Sequence, residues 1–136
     1  MNLVSTRIIT EHVSKLIEFY EQVTKVPAIR FTEDFAELQT SNSTLAIGST
    51  RTLHFFGGPE VAKAAENRTA IIEFITGDVD QIYQEQADFL APYLVQEPTT
   101  MPWGNRSLLF RDPDGNLVNF FTPVSPEAIK KFESRI

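Results

Sequence analysis

Two segments of this chain carry one pattern at a fixed distance. Laid over each other, "RIITEHVSKLIEFY" and "EFITGDVDQIYQEQ" place Ile8 on Phe74, Thr10 on Thr76, Val13 on Val79 and Leu16 on Ile82, every pair 66 positions apart, as 13 is from 79. Each copy begins with β-branched and aromatic residues that favour a strand. Each then runs into apolar positions at helical spacing: Val13, Leu16, Ile17, Tyr20 and Val23 in the first, Val79, Ile82, Tyr83, Gln86 and Phe89 or Leu90 in the second. A repeat of this length restricts the fold more than composition does, because each copy has to be one supersecondary unit that buries an apolar face.

After the first helix come three short β-like pieces, around residues 29–31, 36–40 and 44–47, and then "TLHFF" at 52–56. That last piece falls on "LVNFF" at 117–121, a spacing of 65 (52 to 117), and is read as the closing strand of the first copy. The result is two βαβββ modules, 3–56 and 69–123, joined by a linker at 57–68, in a single domain of 136 residues. Ser-Pro-Glu at 125–127 opens a terminal helix within 124–136. Asp78 and Gln81 have the spacing of a helix N-cap and its capping-box partner. "LLFRDPDGNLVNFF" (108–121) reads as a hairpin turning on Asp-Pro-Asp-Gly, with an amide, Asn119, set among apolar residues.

The charge balance narrows the partners. With 12 Lys and Arg against 18 Asp and Glu, and the basic residues scattered, a nucleic-acid partner is not expected. The apolar runs are too short to cross a bilayer, so no membrane partner is expected. "MNLVSTRIITEHV" lacks the basic region and continuous apolar stretch of a secretion signal, and the chain has no cysteine. A cytoplasmic location is expected.

The paired βαβββ layout, "FY" late in the first helix, "GDVD" opening the second, "PWGNR" before the last hairpin and "FRDPDGNLV" within it resemble the vicinal oxygen chelate superfamily. This is the group of glyoxalases, bleomycin resistance proteins and extradiol dioxygenases, and the resemblance covers residues 3–123. It implies an α+β fold in which duplicated βαβββ modules curl a mixed sheet around a cavity. It also implies a metal on the cavity floor, held by His, Glu or Gln on the first and last strands of each module. Carried onto this chain, those positions are Ser5, its repeat mate Ile71, His54 and Asn119. Isoleucine offers no donor, a serine hydroxyl is weak, and a neutral amide is a poor substitute for a carboxylate. A divalent metal needs about three good donors, so no metal and no other cofactor is expected.

Alternation along the strands then sets the expected cavity wall. Ser5, Arg7 and Ile9 face it, with Thr52, His54 and Phe56, with Ile71, Glu73 and Ile75, and with Leu117, Asn119 and Phe121. The opposite parity, Ile8, Leu53, Phe55, Ile72, Phe74, Val118 and Phe120, is expected beneath the helices. Arg7 and Glu73 are repeat mates and are expected to pair, either as a structural tie or as ligand contacts. Trp103 is expected as a lid, and Arg106 as a rim contact for a polar or anionic group.

Two functions follow from the resemblance. One is metal-free binding of a small, partly hydrophobic or aromatic compound through Arg7, His54, Phe56, Glu73, Trp103, Arg106, Asn119 and Phe121. The other is a lyase, isomerase or dioxygenase that works with a metal, or with His54 and Glu73 as acid and base. An interaction module with a filled interior is a third reading. Open sheet edges lead to the expectation of a homodimer.

Overall fold

Each repeat begins with a strand, crosses through a helix and returns to pair with that strand in parallel. In the computed structural model, which describes residues 1–135, β1 (Ser5–Thr10) is followed by α1 (Val13–Thr24), β2 (Ile29–Thr32), β3 (Phe35–Gln39) and β4 (Thr44–Ser49). The second set is β5 (Ile71–Ile75), α2 (Val79–Leu90), β6 (Leu94–Thr100), β7 (Asn105–Arg111) and β8 (Leu117–Pro123), and α3 (Pro126–Phe132) closes the chain. These form two four-stranded mixed sheets of equivalent order, β1-β4-β3-β2 and β5-β8-β7-β6, neither of them closed. The class is α+β, with two compact units: residues 1–67 with 113–115, and residues 68–112 with those from 116 onward.

In the first unit, α1 buries Val13, Leu16, Ile17, Phe19, Tyr20 and Val23, a stripe that includes every position named by the helical spacing. Its end is set by Lys25, in the left-handed region at φ 60°, whose N–H donates to Glu21 O. Ala36, Leu38, Leu45 and Ile47 are buried on β3 and β4, and all lie on one face of the sheet by its register.

The segment read as a closing strand, "TLHFF", is not one. Residues Thr50–Phe55 form a 3-10 helix after β4. Ser49 caps it, accepting from Arg51 N, while Thr52 Oγ1 donates to Ser49 O at 2.7 Å. Phe56 N and Gly58 N both donate to Leu53 O, local hydrogen bonds in place of a ladder. The strand that pairs with β1 is β4, and Arg7 lies beside Ala46 where Glu73 lies beside Asn119. The repeat therefore runs at 66 through the helices and at 73 (46 to 119) at the last strand. Leu53 is buried as expected, but Phe55 is 77% exposed and does not pack beneath a helix.

In the second unit the expected face does form. Ile72, Val118 and Phe110 lie in register, as do Phe74, Phe120 and Leu108. Phe120 meets Phe110 and Phe74 edge-on, with ring centroids 4.9 and 5.4 Å apart. Asp78 caps α2 by accepting from Gln81 N at 3.0 Å, but the Gln81 side chain donates to Glu85, so only half of the capping box forms. Thr122 Oγ1 donates to Thr76 O and accepts from Val79 N, tying the start of α2 to β8. The turn between β7 and β8 is held by Asp112, whose two carboxylate oxygens accept from Asn116 N and Asn116 Nδ2, both at 2.9 Å.

The start of α3 depends on Gly104. Ser125 Oγ accepts from Ala128 N to cap the helix, and Gly104 O accepts from Val124 N and Ser125 N. Gly104 has φ +92°, and a Cβ there would lie 2.0 Å from Ser125 Oγ and 2.7 Å from Ser125 Cβ. Gly104→Ala is expected to lower unfolding stability by about 2 kcal/mol, since strain and overpacking coincide. Gly58, at φ +108° with nothing within 4 Å of an added Cβ, provides the comparison. Gly58→Ala is expected to lose about 1 kcal/mol from backbone strain alone. Urea unfolding of the two variants would show the difference.

Candidate functional site

Directly paired residues of neighbouring strands project to the same side of a sheet. On the side of the second unit's sheet opposite Phe110 and Phe120, the register places Glu73, Asn119 and Leu109 in one row and Ile75, Phe121 and Ser107 in the next. Two of the expected residues meet there. Asn119 Nδ2 donates to Glu73 Oε2 at 2.8 Å, which fixes the amide with its oxygen pointing away from the carboxylate. Asn119 is buried, and its Oδ1 has no hydrogen-bond partner within the protein. Phe121 is buried too, edge-on against Phe132 of α3 at 5.2 Å, so the terminal helix covers this end of the row.

The remaining expected residues of this unit have other surroundings. Trp103 is 68% exposed on the turn between β6 and β7. Arg106 is committed to α2: its Nε and Nη2 donate to the two carboxylate oxygens of Asp80, at 2.8 and 3.0 Å. Those hydrogen bonds hold the Asp80 carboxyl below the usual carboxylate range and raise the Arg106 guanidinium further. Arg106 is thus a fork already occupied by a carboxylate.

In the first unit, the equivalent face carries Arg7, Ala46 and Glu37 in one row and Ile9, Gly48 and Phe35 in the next. The Arg7 guanidinium carbon lies 4.3 Å from the Phe35 ring centroid and 5.2 Å from that of Phe56. Arg7 and Phe56, both expected in the site, are therefore brought together, and the 3-10 helix is what delivers Phe56. His54 sits on that helix rather than on a strand, exposed, with its ring 3.8 Å from that of Phe55. Its Nδ1 is 2.5 Å from Arg51 O, and only a protonated Nδ1 can donate to a carbonyl.

Phe31, Phe35 and Gly48 were missed by sequence reasoning. Phe31 stacks on Phe35 at 5.5 Å. The available signal was Gly48 itself, since glycine inside a strand often marks a close approach. A separate groove of about 320 Å³ in this unit is lined by residues of the 59–66 segment with Glu11, Thr50 and Leu53, and none of the expected residues borders it.

The donor set does not fit a divalent metal. The family positions hold Ser5, Ile71 and Asn119, and β4 offers Ala46 where β8 has Asn119. Among the described residues no group of three or more His, Cys, Asp or Glu could hold a metal ion.

Comparison with known proteins gives one family. The model of the Glyoxalase/Bleomycin resistance protein/Dioxygenase superfamily matches residues 2–120. No curated protein matches the chain. Among solved structures, a glyoxalase/bleomycin resistance protein/dioxygenase family enzyme from Burkholderia phytofirmans PsJN is similar with TM-score 0.77 and 15% identity, over 91% of this chain and all (100%) of that one. A glyoxalase/bleomycin resistance protein/dioxygenase from Nocardioides gives TM-score 0.74 and 18% identity, over 93% and 85%. A lactoylglutathione lyase from Agrobacterium tumefaciens gives 0.68 and 15%, over 89% and 92%. At these identities the likeness is one of fold.

Two outcomes are expected from these contacts. A buried acceptor without a partner destabilises the folded chain, while the exposed Glu73 can exchange its amide partner for water. Asn119→Leu is therefore expected to raise stability by about 1 kcal/mol in urea unfolding. For the Asp80–Arg106 pair, a lowered carboxyl pKa contributes stability that is complete above the unfolded value and lost as pH falls through the folded one. Asp80→Asn is expected to unfold at a lower urea midpoint than the parent at neutral pH, with the gap closing as pH falls below the ordinary carboxylate range.

Proposed function

The chain belongs to the Glyoxalase/Bleomycin resistance protein/Dioxygenase superfamily, and on that premise we propose that it binds a small, partly hydrophobic or aromatic compound without a divalent metal. The observation that carries this reading is the chemistry at the family's metal positions: Ser5, Ile71 and Asn119, with Ala46 on β4, include no carboxylate and no imidazole. A metal bound at useful affinity needs about three such donors. Present instead are an amide fixed by a carboxylate in one unit and a guanidinium against two aromatic rings in the other. Apolar surface with a few fixed polar anchors is the usual make-up of a small-molecule site.

Acid–base chemistry by His54 and Glu73 has less support. Each of these side chains is engaged locally, His54 by the Arg51 carbonyl and the Phe55 ring, Glu73 by the Asn119 amide.

Protein offered Zn(II), Mn(II), Ni(II) and Fe(II) separately and then dialysed is expected to retain far less than one equivalent of each by elemental analysis. A panel of aromatic compounds is expected to contain members that raise the melting temperature in proportion to their concentration, as mass action requires of a ligand that binds only the folded state. Stoichiometric retention of any one metal would overturn the metal-free reading. A panel that leaves the melting temperature unchanged throughout would overturn the binding reading.

A further inference from the structure

Arg7 is an exposed cation that the fold holds in place without neutralising it. Its guanidinium carbon lies over the Phe35 ring at 4.3 Å and beside the Phe56 ring at 5.2 Å. Among the described residues it makes no ion pair, and no side-chain hydrogen bond involves it, in contrast to Arg51 and Arg106, which pair with Asp34 and Asp80. Carboxylates are not scarce, since 18 Asp and Glu face 12 Lys and Arg in the whole chain. Glu37, in the same cross-strand row as Arg7, accepts instead from Gln39 Nε2 at 2.9 Å.

The surroundings are shaped for that guanidinium. Arg7 Nη1 reaches over β4 at Gly48, where a Cβ would meet it at 3.5 Å, an ordinary contact distance, and would meet Thr52 Oγ1 more tightly at 3.2 Å. Rings positioned against a planar guanidinium restrict its orientation while its in-plane N–H donors stay available. Those donors form a fork that matches a carboxylate with two parallel hydrogen bonds. Phe31, 54% exposed and stacked on Phe35, and Phe56, 56% exposed, offer apolar surface beside it.

We infer that Arg7 is an anion anchor and that the compound bound by this protein is a carboxylate attached to an aromatic or apolar body. The carboxylate sits on the in-plane edge of the guanidinium, and the body lies on the exposed Phe31 and Phe56 rings. This inference rests on the binding reading above and names the ligand class.

The test uses 2-naphthoate and its neutral counterpart 2-naphthamide, titrated into the full chain by calorimetry. Naphthoate is expected to bind about tenfold or more tighter than the amide, the size of one charge-assisted hydrogen-bonded contact. Arg7→Gln is expected to remove that preference, bringing the ratio of the two affinities to about one, and Arg7→Lys to restore part of it. The side-chain Nε–H resonance of Arg7 in the parent protein, expected to shift on titration with naphthoate and not with naphthamide, provides a readout that needs no variant. Equal affinity for the two compounds in the parent protein would overturn the anion anchor and leave the binding reading standing. A naphthoate preference that survives in Arg7→Gln, or an unmoved Arg7 resonance, would also overturn it. If neither compound binds and the aromatic panel is silent as well, both readings fall together.

Discussion

The parallel pairing of first and last strands in each unit is the constraint on which the other features depend. Parallel neighbours cannot be joined by a tight turn, so a helix must cross between them before the chain returns through the remaining strands. α1 and α2, twelve residues each, serve that purpose. The same pairing sets which side chains stand beside one another. Arg7 shares a row with Ala46 and Glu73 shares one with Asn119, so the chemistry of each strand face is decided at a contact between the two ends of a module.

Asn119 illustrates what that contact does to a polar residue in an apolar run. Among Leu117, Val118, Phe120 and Phe121 an amide is costly to bury, and one of its N–H donors is met by Glu73 across the pair. Its Oδ1 is left without a partner in the protein. Arg7 is the counterpart in the other unit. It is held by rings rather than by a carboxylate, in a chain rich in carboxylates.

The helices and most strands were legible because their signals are local. Apolar residues at a 3.6 period, a Ser-Pro-Glu start and an Asp-Pro-Asp-Gly hairpin turn each act within a few positions. "TLHFF" failed for the same reason in reverse. Its apolar content resembles that of "LVNFF", but Ser49 and Thr52 supply short-range hydrogen bonds that close a 3-10 turn, and the apolar run of β4 just before it had already taken the place beside β1. Arg106 is a similar case. Its position at the start of β7 was readable, whereas its commitment to Asp80 required the docking of α2 on the sheet.

By itself the sequence determined that this chain is two copies of one strand-helix-strand unit. It also determined that Ser5, Ile71 and Asn119 offer no strong metal donor, because residue type alone decides whether a donor exists. Only the tertiary structure decided which strand closes the first unit and which side chains meet. It set Phe56 against Arg7 and gave that guanidinium no carboxylate partner among the described residues, while turning the Asn119 amide to Glu73. Those outcomes rest on register and on competition among partners distant in sequence, and neither is encoded in any one stretch of residues.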